Sequence, residues 1–198
     1  TMQERQVTIG DSTHKVPEPF FVMATQNPIE QEGTYPLPEA QIDRFLMKVR
    51  VGYPSPENEK KMLEVVTSPS QRNSTRAPVA NLTDITKIRA LTEHVYVDDR
   101  VRQYIIDLVG ATRNPEAYGL KLGSLIELGA SPRAVISLFL VSRAEALLSG
   151  ERYVTPQTVK NIAPDVLRHR ILLTYEAEAQ GLDADDVVKR ILEGVEVP

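Results

Sequence analysis

The sequence predicts the end of an α/β layer followed by an all-α helical bundle, in a chain that is predominantly helical. Three observations carry this expectation. Clear strand signals are confined to residues up to Val51, and half of the 14 prolines fall by Pro56. From Ser55 onward, Ser55-Pro56, Ser131-Pro132 and Thr155-Pro156 each pair a hydroxyl at N-cap with a proline at N1, the favoured way to open a helix. The segment Ala134-Val135-Ile136-Ser137-Leu138-Phe139-Leu140-Val141 is apolar all round, as suits the central helix of a bundle.

Taken in order, Gln6-Val7-Thr8-Ile9, Gly10-Asp11-Ser12 and His14-Lys15-Val16 read as a β-hairpin with a Gly-Asp turn. Phe20 to Thr25 is a continuous apolar run, expected of a strand buried on both faces. Leu46 to Val51 alternates apolar with charged, as a half-exposed strand should. A short helix around Glu39 to Phe45 would join them in a βαβ-like crossover. Two parallel strands and a hairpin are too few for a covered parallel sheet, so about half of a larger α/β domain is expected to precede Thr1; the alternative is a small α+β unit complete in itself. Further on, helices are expected from Ser55 to about Val66, Thr83 to Leu91, and from Asp98 with Val101, Ile105, Leu108 and Thr112 on one face. Thr67 to Pro78 reads as a loop, and Gly150 as a helix stop. Thr155 to Ile162, Pro164 to about Glu178 and Asp183 to Leu192 complete the set.

Composition narrows the functional classes. The 198 residues carry 23 Lys+Arg and 27 Asp+Glu, a net charge of −4 that offers no general attraction to nucleic acid or anionic lipid. The absence of cysteine removes disulfide, thiolate-metal and cysteine-nucleophile chemistry. No apolar run approaches the roughly 18 residues of a membrane span, and no signal peptide is recognisable; the expected compartment is the cytoplasm. His14, His94 and His169 have no ligand partners at metal spacing. Asp183-Ala184-Asp185-Asp186 lacks the glycine and closing glutamate of a calcium loop, and reads as an N-cap with acids complementing the dipole, as does Asp98-Asp99. No Gly-x-Ser-x-Gly, paired-carboxylate or phosphate-loop motif occurs.

Three residues remain as candidates. Asn27 directly follows the apolar run at Phe20, where open α/β sheets place ligands, and an amide can orient a water while hydrogen-bonding a phosphate oxygen. The alternative is an Asx turn, which Asn-Pro favours in any case. Arg44, at the end of a short helix, is either a charge complementing the dipole or a guanidinium presented to an anion on another subunit. Arg133 falls at N2 of its helix, where the dipole disfavours a cation by about 0.3–1 kcal/mol. That placement is either accidental or a phosphate site built from helix N–H groups and a guanidinium fork.

The stretches Met2 to Ile9, Ala24 to Gln41 and Asp43-Arg44-Phe45 closely resemble the MoxR family of AAA+ ATPases, as do Gly129 to Ala134 and Val166 to Ile171 in the family's lid. The resemblance covers essentially the whole chain. It implies a P-loop ATPase core ending near residue 53, then an α-helical lid over 54–198, with 54–78 as connecting helix and loop. It implies the sensor 1 role for Asn27, the arginine finger for Arg44 and sensor 2 for Arg133, with the Val7 to Val16 hairpin as the pre-sensor-1 hairpin. The family's nucleotide motifs lie upstream of Thr1. ATP and Mg²⁺ are therefore expected in a full-length protein, with none bound tightly by this chain alone, which is expected to be inactive. A hexameric ring and a von Willebrand-type A domain partner are implied, and the activity implied is ATP hydrolysis coupled to chaperone-like remodelling or maturation of protein complexes. The alternatives are a non-enzymatic helical interaction module and a DNA-remodelling AAA+ protein, though the hairpin offers only His14 and Lys15 as cations.

Overall fold

The computed structural model describes residues 4–26, 37–67 and 77–198. The hairpin pairs β1 (Gln6–Ile9) with β2 (Ser12–Lys15), Ile9 opposite Ser12, so Gly10-Asp11 forms a two-residue turn. Gly10 has φ 59°, which such turns demand and glycine supplies without strain. After α1 (Glu39–Ile42) and α2 (Pro56–Thr67) come α3 (Leu82–Thr92) and α4 (Asp99–Arg113). A 3₁₀ turn (Pro115–Tyr118) and β3 (Ile126–Leu128) lead to α5 (Pro132–Leu148) and α6 (Pro156–Leu167). The chain closes with β4 (Leu172–Leu173), α7 (Tyr175–Ala179) and α8 (Ala184–Gly194).

The expected predominance of helix holds. Side-chain caps anchor it: Asp98, Ser131, Thr155 and Asp183 each accept a backbone N–H at the start of the helix they precede. The α3 cap is Asn81, locked reciprocally with Asp84, rather than Thr83. The core lies where α5 packs on α6 and α4, and α8 closes the far side. Leu108, Leu138, Val159, Val166, Leu167, Val187 and Ile191 are all fully buried there. Val101, Ile105, Leu108 and Thr112 do share the buried face of α4.

Three expectations fail. Phe20–Thr25 and Leu46–Val51 form no strands: no parallel neighbour lies beside them among the described residues, and a strand without a ladder has no hydrogen bonds to hold it. Phe21 and Met23 are instead largely exposed. The two-stranded sheets present are both antiparallel, so there is no βαβ crossover in them. Pro164 does not begin a helix; it lies inside α6, which continues to Leu167. The bundle core holding Val159, Ile162, Ala163, Val166 and Leu167 on one face outweighs the single hydrogen bond that proline removes. The expected central place of α5 does hold, since it packs on α6, α4 and α3, with Ile136 and Leu140 facing outward.

β3 pairs antiparallel with β4, Ile126 opposite Leu173. Short as it is, this pairing brings the residues just before α5 beside those just after α6.

Candidate functional site

The α5 N-terminus is placed by the end of α4. Thr112 Oγ1 donates to the Val109 carbonyl at 2.7 Å and accepts from the Ala130 N–H at 2.9 Å, while Arg113 Nε donates to the Ala130 carbonyl at 2.7 Å. Gly129 makes this approach possible: a Cβ there would stand 2.3 Å from the Thr112 carbonyl oxygen. Ser131 then caps α5 by accepting from the Arg133 N–H at 3.2 Å. Arg133 therefore leaves the helix at a fixed point on its first turn.

On the other side stands Asp43, just past α1. Its carboxylate accepts from Ser131 Oγ (2.8 Å to Oδ2), from Arg133 Nη1 at 3.0 Å and from Arg170 Nε at 3.1 Å. Arg170 is the buried member, its side chain 1% exposed against 41% for Arg133. Beyond the carboxylate, Arg170 Nη2 donates to Ser137 Oγ at 3.1 Å and to the carbonyls of Asp43 at 3.2 Å and Phe45 at 2.6 Å. Its Nη1 donates to the carbonyls of Val166 and Leu46. Burial raises the Asp43 carboxyl, but the hydrogen bonds from Arg133, Ser131 and Arg170 outweigh it and hold the group below the ordinary carboxylate value. Burial pushes Arg170 down, opposed by Asp43.

The neighbouring residues continue the grip on the same segment. His169 Nε2–H donates to the Phe45 carbonyl at 3.2 Å; burial, with Arg170 beside it, lowers its pKa to about 4, so the imidazole is neutral. Arg168 Nη1 donates to the Lys48 carbonyl at 2.6 Å and Nε to Asp185 at 2.8 Å, and the Lys48 N–H donates to the Asp165 carbonyl at 2.8 Å. Arg50 Nη1 reaches Asp183 and Asp185 at 2.9 and 2.6 Å. A groove of about 290 Å³ opens beside Asp43, lined among others by Glu39, Ser131, His169 and Leu172.

Of the three candidates, Asn27 lies outside the described residues. Arg44 is exposed at the end of α1, and Arg133 lies across Asp43 from it, so Asp43 joins the two: chain neighbour of one, ion-pair partner of the other. Arg133 is thus an ion-paired residue, not a bare surface charge. Sequence reasoning gave no part to Asp43 or Arg170. Asp43 carried a usable signal, because an acid at a helix C-terminus opposes the dipole and calls for a counter-charge. Arg170, within Arg168-His169-Arg170, looks like any solvated cationic run.

Comparison with known proteins places this geometry. Residues 1–47 match the ATPase family associated with various cellular activities (AAA), and residues 123–191 match the AAA lid domain. An AAA ATPase core end followed by its lid is the class of protein these features define. The chain is 44% identical over its whole length to the chaperone MoxR1 of Mycobacterium tuberculosis, covering 52% of that protein. It is 28% identical to the protein MoxR of Methylorubrum extorquens, covering 60% of it. A crystal structure of an ATPase candidate from Cytophaga hutchinsonii superposes over the entire chain with a TM-score of 0.94 at 44% identity, covering 60% of that structure's chain. The chain thus matches the AAA ATPase and AAA lid models in turn and is similar over its whole length to proteins named MoxR. It spans a little over half the length of the curated relatives it matches. Among the described residues, no helix is long and apolar enough to cross a membrane.

Proposed function

We propose that residues 1–53 complete the ATPase core, and 54–198 form the lid, of a longer cytoplasmic MoxR-type AAA+ ATPase. That protein would couple ATP hydrolysis to chaperone-like remodelling or maturation of protein complexes, in a hexameric ring, with a von Willebrand-type A domain protein as a candidate partner. The matches to the AAA ATPase and AAA lid models and a relative named as a chaperone support the reading. The observation that carries it is the half-exposed Arg133 guanidinium on the first turn of α5, held by a carboxylate that a phosphate can replace. The donor set fits a nucleotide phosphate. It does not fit Mg²⁺, since among the described residues no group of three His, Cys, Asp or Glu could hold a metal ion.

ATP supplies the phosphoanhydride bond whose cleavage drives the cycle. In this reading Arg133 contacts its phosphates from the lid, as sensor 2. Asn27 orients the attacking water, as sensor 1, through the donor and acceptor of its amide. Arg44 reaches the site of a neighbouring subunit as the arginine finger, stabilising charge that develops on the transferred phosphoryl group.

The test is made on the full-length protein. Arg44→Ala should lower turnover by about 10³–10⁵-fold while leaving nucleotide binding largely intact. Mixing it with a subunit disabled in the phosphate loop should restore part of the activity, because mixed rings still contain intact sites between unlike neighbours. Wild-type turnover in Arg44→Ala would reduce Arg44 to a helix-end charge.

A further inference from the structure

Asp43 faces more positive charge than it needs. Arg170, buried and fixed by Ser137 and four backbone carbonyls, already matches its single negative charge. Ser131 adds a hydroxyl to both carboxylate oxygens. Arg133 is the surplus cation, the more exposed of the two guanidiniums and bound through one nitrogen. It is therefore the member of the cluster that another anion can draw away without leaving a buried charge unpaired.

The buried member has a different reach. Arg170 Nη2 holds the carbonyls of Asp43 and of Phe45, the residues immediately before and after Arg44. The backbone from which Arg44 projects is thus clamped on both sides by one side chain of the lid. Arg133 and Arg44 are anchored to the same carboxylate-centred cluster, one by its tip and the other by its flanking peptides.

We propose that Asp43 and Arg170 are positioning residues of the ATPase reaction: Asp43 holds Arg133 in competition with the nucleotide phosphates, and Arg170 fixes the backbone that presents Arg44. This rests on the roles proposed for Arg44 and Arg133. Nucleotide that takes Arg133 leaves Asp43 wholly to Arg170 and Ser131, so occupancy of one subunit's site reaches the segment that serves its neighbour.

The experiment is a double-mutant cycle in the full-length ring protein, read by Mg-AMPPNP titration calorimetry and steady-state turnover. Asp43→Asn removes the competing charge, and affinity should tighten about 5- to 10-fold, within the usual range of coupling between sites. Turnover should fall about 10- to 100-fold as the Arg44 segment loosens, since misplacement of about 1 Å is enough for that. In an Arg133→Ala background the gain in affinity should vanish. A purely structural role would weaken affinity and turnover together; that result, or an affinity gain persisting in Arg133→Ala, overturns the proposal. Should Asp43→Asn fail to fold, the wild-type crystal structure with Mg-AMPPNP decides: Arg133 beyond hydrogen-bond reach of Asp43, with Arg170 still on it, supports the proposal, and Arg133 retained on Asp43 overturns it. If Arg44→Ala and Arg133→Ala themselves leave binding and turnover unchanged, the underlying assignment fails. If they act and Asp43→Asn does not, only the positioning roles fail.

Discussion

Arg170 Nε donates to Asp43 Oδ1 at 3.1 Å across 127 positions of sequence, in a pair whose arginine is almost wholly out of solvent. Surface ion pairs contribute little, but breaking a buried one leaves a charge without compensation. The pair is also the junction between the segment after α1 and the lid bundle.

Arg170→Met should nonetheless destabilise the protein strongly, by about 3–5 kcal/mol, because the carbonyls of Asp43, Phe45, Leu46 and Val166 and the Ser137 hydroxyl lose their donor at once, even though Arg133 still pairs Asp43. Urea unfolding followed by circular dichroism would measure it. A loss below about 1 kcal/mol would show that Ser131 and Arg133 suffice to hold Asp43.

Gly129→Ala should cost about 1–3 kcal/mol, because the new Cβ would stand 2.3 Å from the Thr112 carbonyl, a backbone atom that cannot turn away. Gly52→Ala, with open space at its Cβ, serves as the control and should be near neutral. Thermal melts of the two variants side by side give the comparison.

Stability should fall as pH drops from 6.5 towards 4. His169 has an ordinary pKa of 6.5 when unfolded and about 4 when folded, so in that window the unfolded chain takes up a proton that the folded one refuses. The contribution is present above 6.5 and lost on the way to 4, on the order of 1–2 kcal/mol after allowing for partial solvent screening. Asp43 does not confuse this window, since its lowered pKa places its own loss below 3.8. Melts at pH 7 and pH 4.5 of wild type and His169→Gln should show the pH-dependent difference in the former and most of it gone in the latter.

The 198-residue chain by itself should neither bind Mg-ATP with micromolar affinity nor hydrolyse it, because its sequence has no phosphate loop to cradle the β- and γ-phosphates. Titration calorimetry is sufficient, and a micromolar dissociation constant would show that the lid and core end form a site unaided.

What could be read from sequence divides by range. Caps at Asp98, Ser131, Thr155 and Asp183 were legible because a cap is settled by three or four adjacent residues. The α4 face was legible because its period needs no partner. Phe20–Thr25 misled because an apolar run becomes a strand only beside another strand, and Pro164 misled because burial of α6 overrides a local penalty. β3 and β4 are three and two residues long and meet across more than forty positions, too short to leave a pattern. The same holds for the candidate site: Arg133 and Arg44 stood out locally, whereas Asp43 and Arg170 acquire meaning only once the fold brings them together.

The clasp formed by Arg168, His169 and Arg170 seizes carbonyl oxygens of Asp43, Phe45, Leu46 and Lys48, main-chain atoms that every amino acid supplies. The side chains of Leu46 and Lys48 stay exposed and take no part in these hydrogen bonds. At positions 46 and 48 such a joint is indifferent to the side chain, whereas Asp43 enters it through its carboxylate. Drift at positions 46 and 48 can proceed without loosening it, whereas one change at 168 or 170 removes several bonds at once, so the burden of heredity at this junction falls on the bundle's arginines and, across from them, on Asp43 alone among the residues whose carbonyls they hold.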